Sequence, residues 1–505
     1  MQKAKFPWRA ILLGSLLSLL VALYSAYAGL KIGGVYWPMV TTAVVSMAFM
    51  RLLGSKDNHE INIMQTTAST GGLLAAGIIF TIPALFMLGM PVSATDILLV
   101  SLTGGMLGLL FVYPLRQRMV VEEKLPYADG TAAAAIISAG DRKGKQSNTL
   151  FAAFGISALF AIAKEAGARL NAFAIPFSLI PLAGGYLIGT RFTLAWFLGA
   201  LVTVLAIVPM LGANSVVGFA KPLGVGVVIG AAIAYFLTSG VPVFLKTAQY
   251  YRKAHMGRWG IAALFIICIV LVYAFDLSLP LALFAVAGAF LMAFLGAKIT
   301  GEMNVDPMEI FALIVLLAAK FIFGFGVLHL VLLAAVVCIA AGIAGDAMQD
   351  FKTGHILGTP PLHQLAAEAA GVISASLIMG ALMLSFAQVG FGGAEFPAPQ
   401  ADAVKEIVQE GGMPSTLVAG ILAGFALTII SWKLGLGAVA IAFGIGLYVP
   451  FALSLPLFIG GIARHFIDKA KKTEYWRLVA GGVIAGEGLV GAIIVLAAAA
   501  KFFGL

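Results

Sequence analysis

Apolar runs of roughly 18 to 25 residues recur along almost the whole chain, separated by short polar stretches. A helix needs about 20 predominantly apolar residues to cross the hydrocarbon core of a bilayer. Lipid offers the backbone no hydrogen bonds, so each crossing must be a helix or part of a closed barrel. Barrel strands alternate polar and apolar residues over about ten positions, which these runs do not do. The pattern therefore predicts an all-α polytopic membrane protein.

The number of spans follows from the apolar runs, and one run is ambiguous. The run at 435–466 is longer than one crossing needs, and Pro450 and Pro456 interrupt it. We therefore count about 16 transmembrane helices, within a range of about 14 to 17. The other predicted spans cover residues 10–29, 35–53, 65–89, 95–114, 148–164, 172–190, 193–212, 222–244, 260–276, 279–297, 309–325, 327–345, 366–389, 415–432 and 477–500.

A weak internal repeat divides the chain. The Pro-Met and Met-Gln pairs at 38–39 and 64–65 recur in outline at 307–308 and 348–349. Transporters built from duplicated units hold their substrate site between the repeats, near the middle of the membrane. The repeat predicts two halves with broken or re-entrant helices around a central cavity. These halves are the transmembrane segments 1–258 and 259–505.

Composition supports this interpretation and changes the meaning of the net charge. Hydrophobic residues make up 61% of the chain and charged residues 10%, against about 25% charged in a soluble domain. A net charge of +9 suggests nucleic acid in a soluble protein. Here the basic residues form short clusters between apolar runs, as in cytoplasmic loops. We therefore predict no nucleic-acid partner, and Lys3, Lys5 and Arg9 predict a cytoplasmic N-terminus.

Two polar, glycine-rich segments begin beside apolar runs in the first half. Tyr27 and Lys31 lie in the segment 24–34, which either borders a solute path or forms an interfacial belt with a snorkelling lysine. Gln65, Thr66 and Ser69 come just before a predicted span. If a helix begins at this segment and faces a cavity, its N-terminal N–H groups and positive dipole end would suit an anionic group. The alternative is close helix packing through small residues.

Acidic residues cluster in two further stretches. Glu122, Glu123 and Asp129 lie between a basic loop and an alanine-rich helix. They suit either an ion or proton site or a solvated cytoplasmic loop. Glu302 begins the stretch 302–306, in which three polar residues alternate with apolar ones. An extended backbone would place all three on one side, where they would hold a cation or accept protons; a short solvated loop has the same pattern.

A last polar segment follows a span in the second half and resembles the one at 62–72. It contains Asp346, Gln349, Asp350 and Lys352. The two aspartates are four positions apart, so a helix would place them on one face. We expect this segment and the one at 65–72 to line the cavity from opposite repeats.

Two acids stand alone within apolar runs, Glu368 and Glu487. A charge at that depth costs roughly 2.5 to 3.5 kcal/mol on insertion scales and is usually functional or paired. Cys268 and Cys338 also lie in apolar runs and suggest neither a disulfide nor a metal site. No metal-ligand spacing or nucleotide-binding loop occurs. We therefore predict no metal, no cofactor and no enzymatic activity.

Several motifs together resemble the oligopeptide transporter family, which includes the yellow stripe-like metal-chelate transporters. They run in the family's order along nearly the whole chain: YAGLKIGG, NIMQTTASTGGLLAAGIIFTIPAL, PLRQRMVVEEKLPYADGTA, GEMNVDP, AGDAMQDFKTGHILGTPP, VPFALSLPLFIGG and IAGEGLVG. The resemblance implies about 16 spans and proton-driven symport of small peptides or metal–peptide-like chelates. The chain is shorter than eukaryotic members and looks like a prokaryotic one, which implies the cytoplasmic (inner) membrane.

The motif residues divide into two hypothetical groups, one for substrate binding and one for proton coupling. A peptide or chelate is zwitterionic, so its cavity needs side chains of both signs of charge. The expected partners are a peptide or metal chelate, protons and the lipid bilayer, and a homodimer is left open. The alternatives are a transporter of metal–siderophore chelates only, an ion channel, or an ion-pumping membrane enzyme. The substrate-binding candidates are Tyr27, Lys31, Gln65, Thr66, Ser69, Gln349, Asp350 and Lys352. The proton-coupling candidates are Glu122, Glu123, Asp129, Glu302, Asp346 and Glu487.

Overall fold

The computed structural model describes ten stretches of the chain, and all regular structure within them is helical. Beside the α-helices there are a 3₁₀ turn at Tyr113–Leu115 and short π-helical segments, the first at Gln117–Glu122. An all-α membrane architecture is therefore confirmed. The described residues are 5–32, 38–139, 145–169, 178–212, 214–240, 257–324, 326–393, 395–409, 414–469 and 473–502.

The α-helices are numbered here in chain order. The first eleven are α1 (Trp8–Ile32), α2 (Pro38–Leu52), α3 (Asn58–Ile79), α4 (Pro83–Met87), α5 (Ala94–Val112), α6 (Ala128–Ala139), α7 (Lys145–Arg169), α8 (Leu179–Ile188), α9 (Thr190–Val202), α10 (Val208–Leu211) and α11 (Lys221–Tyr235). The next ten are α12 (Gly257–Ala274), α13 (Leu279–Met303), α14 (Met308–Phe323), α15 (Val327–Leu357), α16 (Pro361–Ala387), α17 (Pro399–Gln409), α18 (Ser415–Lys433), α19 (Val439–Tyr448), α20 (Phe451–Lys469) and α21 (Thr473–Phe502).

Within the described ranges, 12 helical segments are long and apolar enough to cross a membrane. The ambiguous run at 435–466 forms two helices, α19 and α20, which separate at Pro450. Shorter apolar helices account for several of the other predicted spans. The count of 16 crossings and the repeated halves stay predictions. The shorter helices are Pro38–Leu52, Ala128–Ala139, Leu179–Ile188, Ala262–Ala274 and Val439–Tyr448.

Helix α15 forms the centre of the bundle. Every residue from Leu330 to Phe351 is buried, as expected for a helix that is apolar on all sides and enclosed by others. Helices α3, α5, α6, α13, α14 and α16 pack around it. Small residues allow close approach: a Cβ on Gly77 or Gly104 would collide with Ile339 of α15. The core therefore contains the second-half polar segment 346–355.

The two polar segments expected at broken helix ends lie instead within continuous α-helix. Helix α3 begins at Asn58, where the Asp57 side chain accepts the His59 N–H, and residues 65–72 follow well inside it. Residues 346–355 likewise lie within α15. The expectation of helix breaks at these positions is wrong because the hydroxyl groups bond back to the helix. Thr67 Oγ1 donates to the Ile63 carbonyl at 2.9 Å, which satisfies the side chain without unwinding the backbone.

Candidate functional site

Three carboxylates meet in the core of the bundle. Asp346 and Asp350 lie one turn apart on α15, and Glu368 lies on α16. One oxygen from each residue lies within 4.8 Å of the other two. The exposed fractions are 6%, 0% and 0%, so water screens none of the three side chains. Two unit charges at this distance repel by roughly 3 kcal/mol at an effective dielectric constant of about 20. The cluster therefore favours binding of a proton or another cation.

The cluster lies at one depth on three helices. Gln65 follows the start of α3 by seven positions, and Glu368 follows the start of α16 by the same number. Asp350 precedes the end of α15 by seven positions. At 1.5 Å per residue, each side chain lies about 10 Å from its helix end. The cluster is therefore about a quarter to a third of the way along these helices, close to the side where α3 begins.

Helix α3 holds the carboxylates with neutral donors. Gln65 Nε2 donates to Asp350 Oδ1 at 2.7 Å, and Ser69 Oγ donates to Asp350 Oδ2 at 3.1 Å. Thr70 Oγ1 donates to Glu368 Oε2 at 2.8 Å. In the described part of the chain, no lysine or arginine forms an ion pair with these acids. The carboxylates are therefore positioned by hydrogen bonds but not neutralised by a fixed positive charge.

Three oxygens at the cluster have no hydrogen-bond partner among the described residues. They are Asp346 Oδ2, Glu368 Oε1 and Gln65 Oε1. A buried acceptor without a partner costs roughly 1 to 3 kcal/mol, and more when it is charged. A bound proton or cation would satisfy these oxygens. Oxygen-only donors suit protons, ammonium groups and hard cations.

A second polar network joins three of the sequence motifs beside the cluster. Asn304 Nδ2 donates to Asp129 Oδ1 at 2.9 Å, and Asn304 Oδ1 accepts from Gln349 Nε2 at 2.7 Å. Gln349 Oε1 in turn accepts the Gly130 N–H at 2.9 Å. Gln349 is the neighbour of Asp350 in sequence. The network therefore connects the segments 121–131 and 302–306 to the helix that carries the cluster.

Two cavities open on the same side of this network. The inner one has a volume of about 260 Å³, and its lining includes Asn304 and Glu302. The outer one has a volume of about 540 Å³, and its lining includes His465. Both are lined by Arg191 and Arg464. Basic side chains therefore outnumber acidic ones in both linings, and the inner cavity reaches Asn304 of the polar network.

Two other predicted acids, Glu123 and Glu302, have fixed hydrogen-bond partners. Lys298 Nζ contacts Glu123 Oε2 at 2.5 Å, and Arg118 Nε contacts Glu123 Oε1 at 2.8 Å. Burial would raise the pKa of Glu123, but these two hydrogen bonds outweigh burial and lower it. Glu302 Oε1 accepts from the Tyr235 hydroxyl at 2.8 Å. Glu122 is exposed. These acids have partners or solvent, unlike the three in the core.

Tyr27 and Lys31 lie at the opposite end of the bundle. Lys31 Nζ contacts Glu395 Oε1 at 2.7 Å, and the Tyr27 hydroxyl donates to the same oxygen at 3.2 Å. The hydrogen bond from Lys31 lowers the pKa of Glu395. The Tyr27 ring packs edge-on against Phe396 with centroids 5.6 Å apart. The structure therefore does not bring these two predicted residues to the carboxylate cluster.

Two more predicted residues serve backbone groups elsewhere. Glu487 Oε2 accepts the Leu179 N–H at 2.8 Å at the start of α8, and Lys164 Nζ lies 3.8 Å from Glu487 Oε1. Lys352 Nζ donates to the Leu125 carbonyl at 2.9 Å. A carboxylate at a helix N-terminus is stabilised by the helix dipole. Glu487 therefore has a backbone donor and a nearby lysine as partners, and its role in proton coupling stays a prediction.

The structure thus brings together part of the predicted set and adds residues to it. Gln65, Ser69, Asp346 and Asp350 meet at the cluster, with Thr66 buried in the same turn of α3, and Gln349 and Asp129 meet beside it. Glu368 was noted only as a lone intramembrane acid, and Thr70 and Asn304 were not chosen. The signal for Glu368 was its charge inside an apolar run; its contact with Asp350 could not be read from spacing.

Comparison with known proteins decides the family. A family model described as OPT oligopeptide transporter protein matches residues 5–229 and 246–498. The chain belongs to the oligopeptide transporter family.

Relatives within the oligopeptide transporter family have low sequence identity to this chain, and one of them matches over almost its whole length. A Haemophilus influenzae protein named as an oligopeptide transporter is 26% identical over 94% of this chain and 93% of its own length. A Saccharomyces cerevisiae protein named as oligopeptide transporter YGL114W is 27% identical over 46% of the chain and 36% of its own length. The Oryza sativa protein YSL13, named as a metal-nicotianamine transporter, is 26% identical over 29% of the chain and 23% of its own length. These relatives support a membrane transporter and not an enzyme.

Proposed function

We propose that this oligopeptide transporter family member is a secondary active transporter that carries small oligopeptides or metal–peptide-like chelates together with protons. The observation that carries the proposal is the buried cluster of Asp346, Asp350 and Glu368, in which neutral side chains of α3 donate hydrogen bonds to Asp350 and Glu368. We place it in the cytoplasmic membrane of a prokaryote, with the N-terminus in the cytoplasm.

The coupling follows from the electrostatics of the cluster. Three like charges at this spacing are stable only with protons or a cation bound, and no fixed positive side chain occupies that role in the described residues. Protonation and substrate binding then stabilise the same neutralised state of the core. Each ligand raises the population of the conformation that binds the other, which is the thermodynamic basis of symport.

The substrate class follows from the two signs of charge. Arg191 and Arg464 line both cavities and suit carboxylates, which bind guanidinium groups through paired hydrogen bonds. The acidic cluster suits an ammonium group or a chelated metal. A peptide or a metal chelate carries both kinds of group. We propose that such a substrate enters through the cavities and reaches the cluster past Asn304, with Gln349 and Asp129 along the path.

Transport in proteoliposomes tests the proposal. Purified protein is reconstituted with an imposed pH gradient, and uptake is measured for radiolabelled di- to pentapeptides, peptide-like metal chelates and metal–siderophore chelates. We expect gradient-driven uptake of peptides or peptide-like chelates, and its loss in Asp350→Asn. The matched control is Asp402→Asn, because Asp402 is on α17 and pairs with Lys405 outside the core.

Other results would favour the alternatives. Uptake of siderophore chelates alone would narrow the substrate class. Ion conductance without substrate would indicate a channel. Uptake that is unchanged in Asp350→Asn would reject the cluster as the coupling site. The proposal also includes two transmembrane halves, 1–258 and 259–505, and a homodimer. A mass measurement of the protein in detergent tests whether it is a dimer.

A further inference from the structure

A second group of buried oxygens lies one turn along α15 from Asp350. Both carboxylate oxygens of Asp306 are buried without a hydrogen-bond partner among the described residues, and so are Thr300 Oγ1 and Asp346 Oδ2. Thr300 and Asp346 are 5% and 6% exposed. Four unpartnered oxygens on three side chains are too many to leave unsatisfied in a stable core, because each costs roughly 1 to 3 kcal/mol.

Two glycines bring these oxygens together. A Cβ on Gly345 would lie 2.9 Å from Thr300 Oγ1 and closer still to Asp306 Oδ2. A Cβ on Gly296 would lie 3.4 Å from Asp306 Oδ1. The hydroxyl and the carboxylate thus face the same bare patch of α15 at Gly345, and Asp346 is the next residue of that helix. A larger residue at position 345 would displace them.

The end of α13 near Asp306 favours a positive ion. Thr300 lies in the last turn of α13, which ends in a left-handed Asn304 at φ 59°. The C-terminal end of a helix carries a partial negative charge and attracts cations. Asp306 lies two positions before Met308, the first residue of α14, and Glu309 in the first turn of α14 is a second acid near it. Transporters commonly use such helix ends to coordinate coupling ions.

We propose that Thr300, Asp306 and Asp346 form a second cation site, which binds Na⁺. The donors are all oxygens, which excludes soft metals. Ca²⁺ takes six to eight oxygens, and Mg²⁺ loses its water reluctantly, whereas this site offers few fixed ligands in a buried setting. The site extends beyond the proposed proton site and shares only Asp346 with it.

Thermal unfolding in detergent with added salt tests the Na⁺ site. The full chain is unfolded at fixed pH and ionic strength in NaCl, choline chloride, CaCl₂ or MgCl₂. We expect NaCl to raise the Tm by mass action, while the other salts do not. Asp306→Asn and Thr300→Val should each weaken the apparent Na⁺ affinity by about tenfold or more, since the first removes the negative charge and one carboxylate oxygen and the second removes the hydroxyl oxygen. Asp402→Asn should respond to Na⁺ like the unmodified chain.

Two results would overturn the proposal. If Asp306 holds a proton instead, Na⁺ has no effect on the Tm, and Asp306→Asn keeps the Tm of the unmodified chain because the amide mimics the neutral acid. If CaCl₂ or MgCl₂ raises the Tm and NaCl does not, the site is divalent and the assignment is wrong.

The Na⁺ site and the proposed symport fail separately. Asp350→Asn should lose gradient-driven uptake and keep the Na⁺-dependent rise in Tm, because Asp350 contributes none of the proposed Na⁺ ligands. An absent Na⁺ response alongside intact proton-driven uptake would remove only the second site. Binding of ²²Na⁺ to the purified protein gives a readout that does not depend on folding stability: bound ²²Na⁺ in the unmodified chain and not in Asp306→Asn supports the site.

Discussion

Two groups of acids in this protein differ in what neutralises them. Glu123 lies between Lys298 and Arg118, both within hydrogen-bonding distance. Asp350 and Glu368 are more deeply buried and accept hydrogen bonds from neutral side chains of α3, while the nearest charged groups in the described residues are other acids. An acid with a fixed basic partner keeps its charge and stabilises the structure, whereas a buried acid without one must take its positive charge from solution. Ion coupling requires a buried acid of the second kind, which binds its positive charge from solution.

The largest effect is expected from removing one core carboxylate. Glu368→Gln should lower the initial rate of gradient-driven uptake by about tenfold or more, equal to about 1.4 kcal/mol, because the cluster then binds its proton less tightly. Its Tm should stay unchanged or rise, since one repulsive charge is gone. Uptake assays and thermal unfolding measure both, with Glu395→Gln as the exposed control. Equal loss in both variants would show that the position in the core does not matter.

A smaller effect, on stability alone, is expected in the paired network. Lys298→Met leaves Glu123 with only Arg118 as a partner. Loss of a partly buried charge-assisted hydrogen bond should cost about 1 to 3 kcal/mol, measured as a lower Tm in detergent. Proton coupling per substrate should be preserved in the folded fraction. A changed coupling ratio would contradict the distinction between the two groups.

The paired network also predicts a pH dependence. The pKa of Glu123 is lowered from its ordinary value of 4.5. The contribution of ionised Glu123 to the stability of the fold is therefore fully present above pH 4.5. It is lost as the pH falls through the lower pKa that Glu123 has in the folded state. The Tm difference between the unmodified chain and Glu123→Gln should be constant near neutral pH and shrink below about pH 4. A difference that grows on acidification would have the wrong sign.

The smallest effect is expected at the opposite end of the bundle. Lys31 and Glu395 form an ion pair whose side chains are 35% and 45% exposed. Exposed ion pairs contribute little to stability because water and salt screen them. Lys31→Met should leave the Tm almost unchanged. Uptake kinetics of the same variant test whether Lys31 binds substrate, as the sequence suggested; an unchanged KM would remove it from that set.

The sequence contained the fold class and part of the site, for identifiable reasons. Membrane crossing requires long apolar runs, so the all-α architecture was readable directly. Gln65 and Asp350 were recognisable because polar side chains are costly in apolar surroundings. Their contact with each other was a matter of helix packing, which spacing along the chain does not encode. The same applies to Glu368, which is 18 positions from Asp350 in sequence.

Local pattern also misjudged the backbone at the site. The serine and threonine hydroxyls near Gln65 suggested a helix end, but the Thr67 hydroxyl donates to the Ile63 carbonyl within a continuous α3. The proton-coupling role of Glu487 stays a prediction, and the structure adds that this acid accepts the Leu179 N–H at the start of α8. A partner that comes from a distant helix cannot be seen in the sequence.

The most direct test of the account measures proton movement itself. Proteoliposomes that enclose a pH-sensitive dye are given substrate without an imposed pH gradient, and the internal pH is followed. The account predicts that substrate entry acidifies the interior for the unmodified chain and for Glu395→Gln, but not for Asp350→Asn. Substrate uptake without acidification in the unmodified chain, or acidification that persists in Asp350→Asn, would contradict the claim that the buried cluster carries the coupling proton.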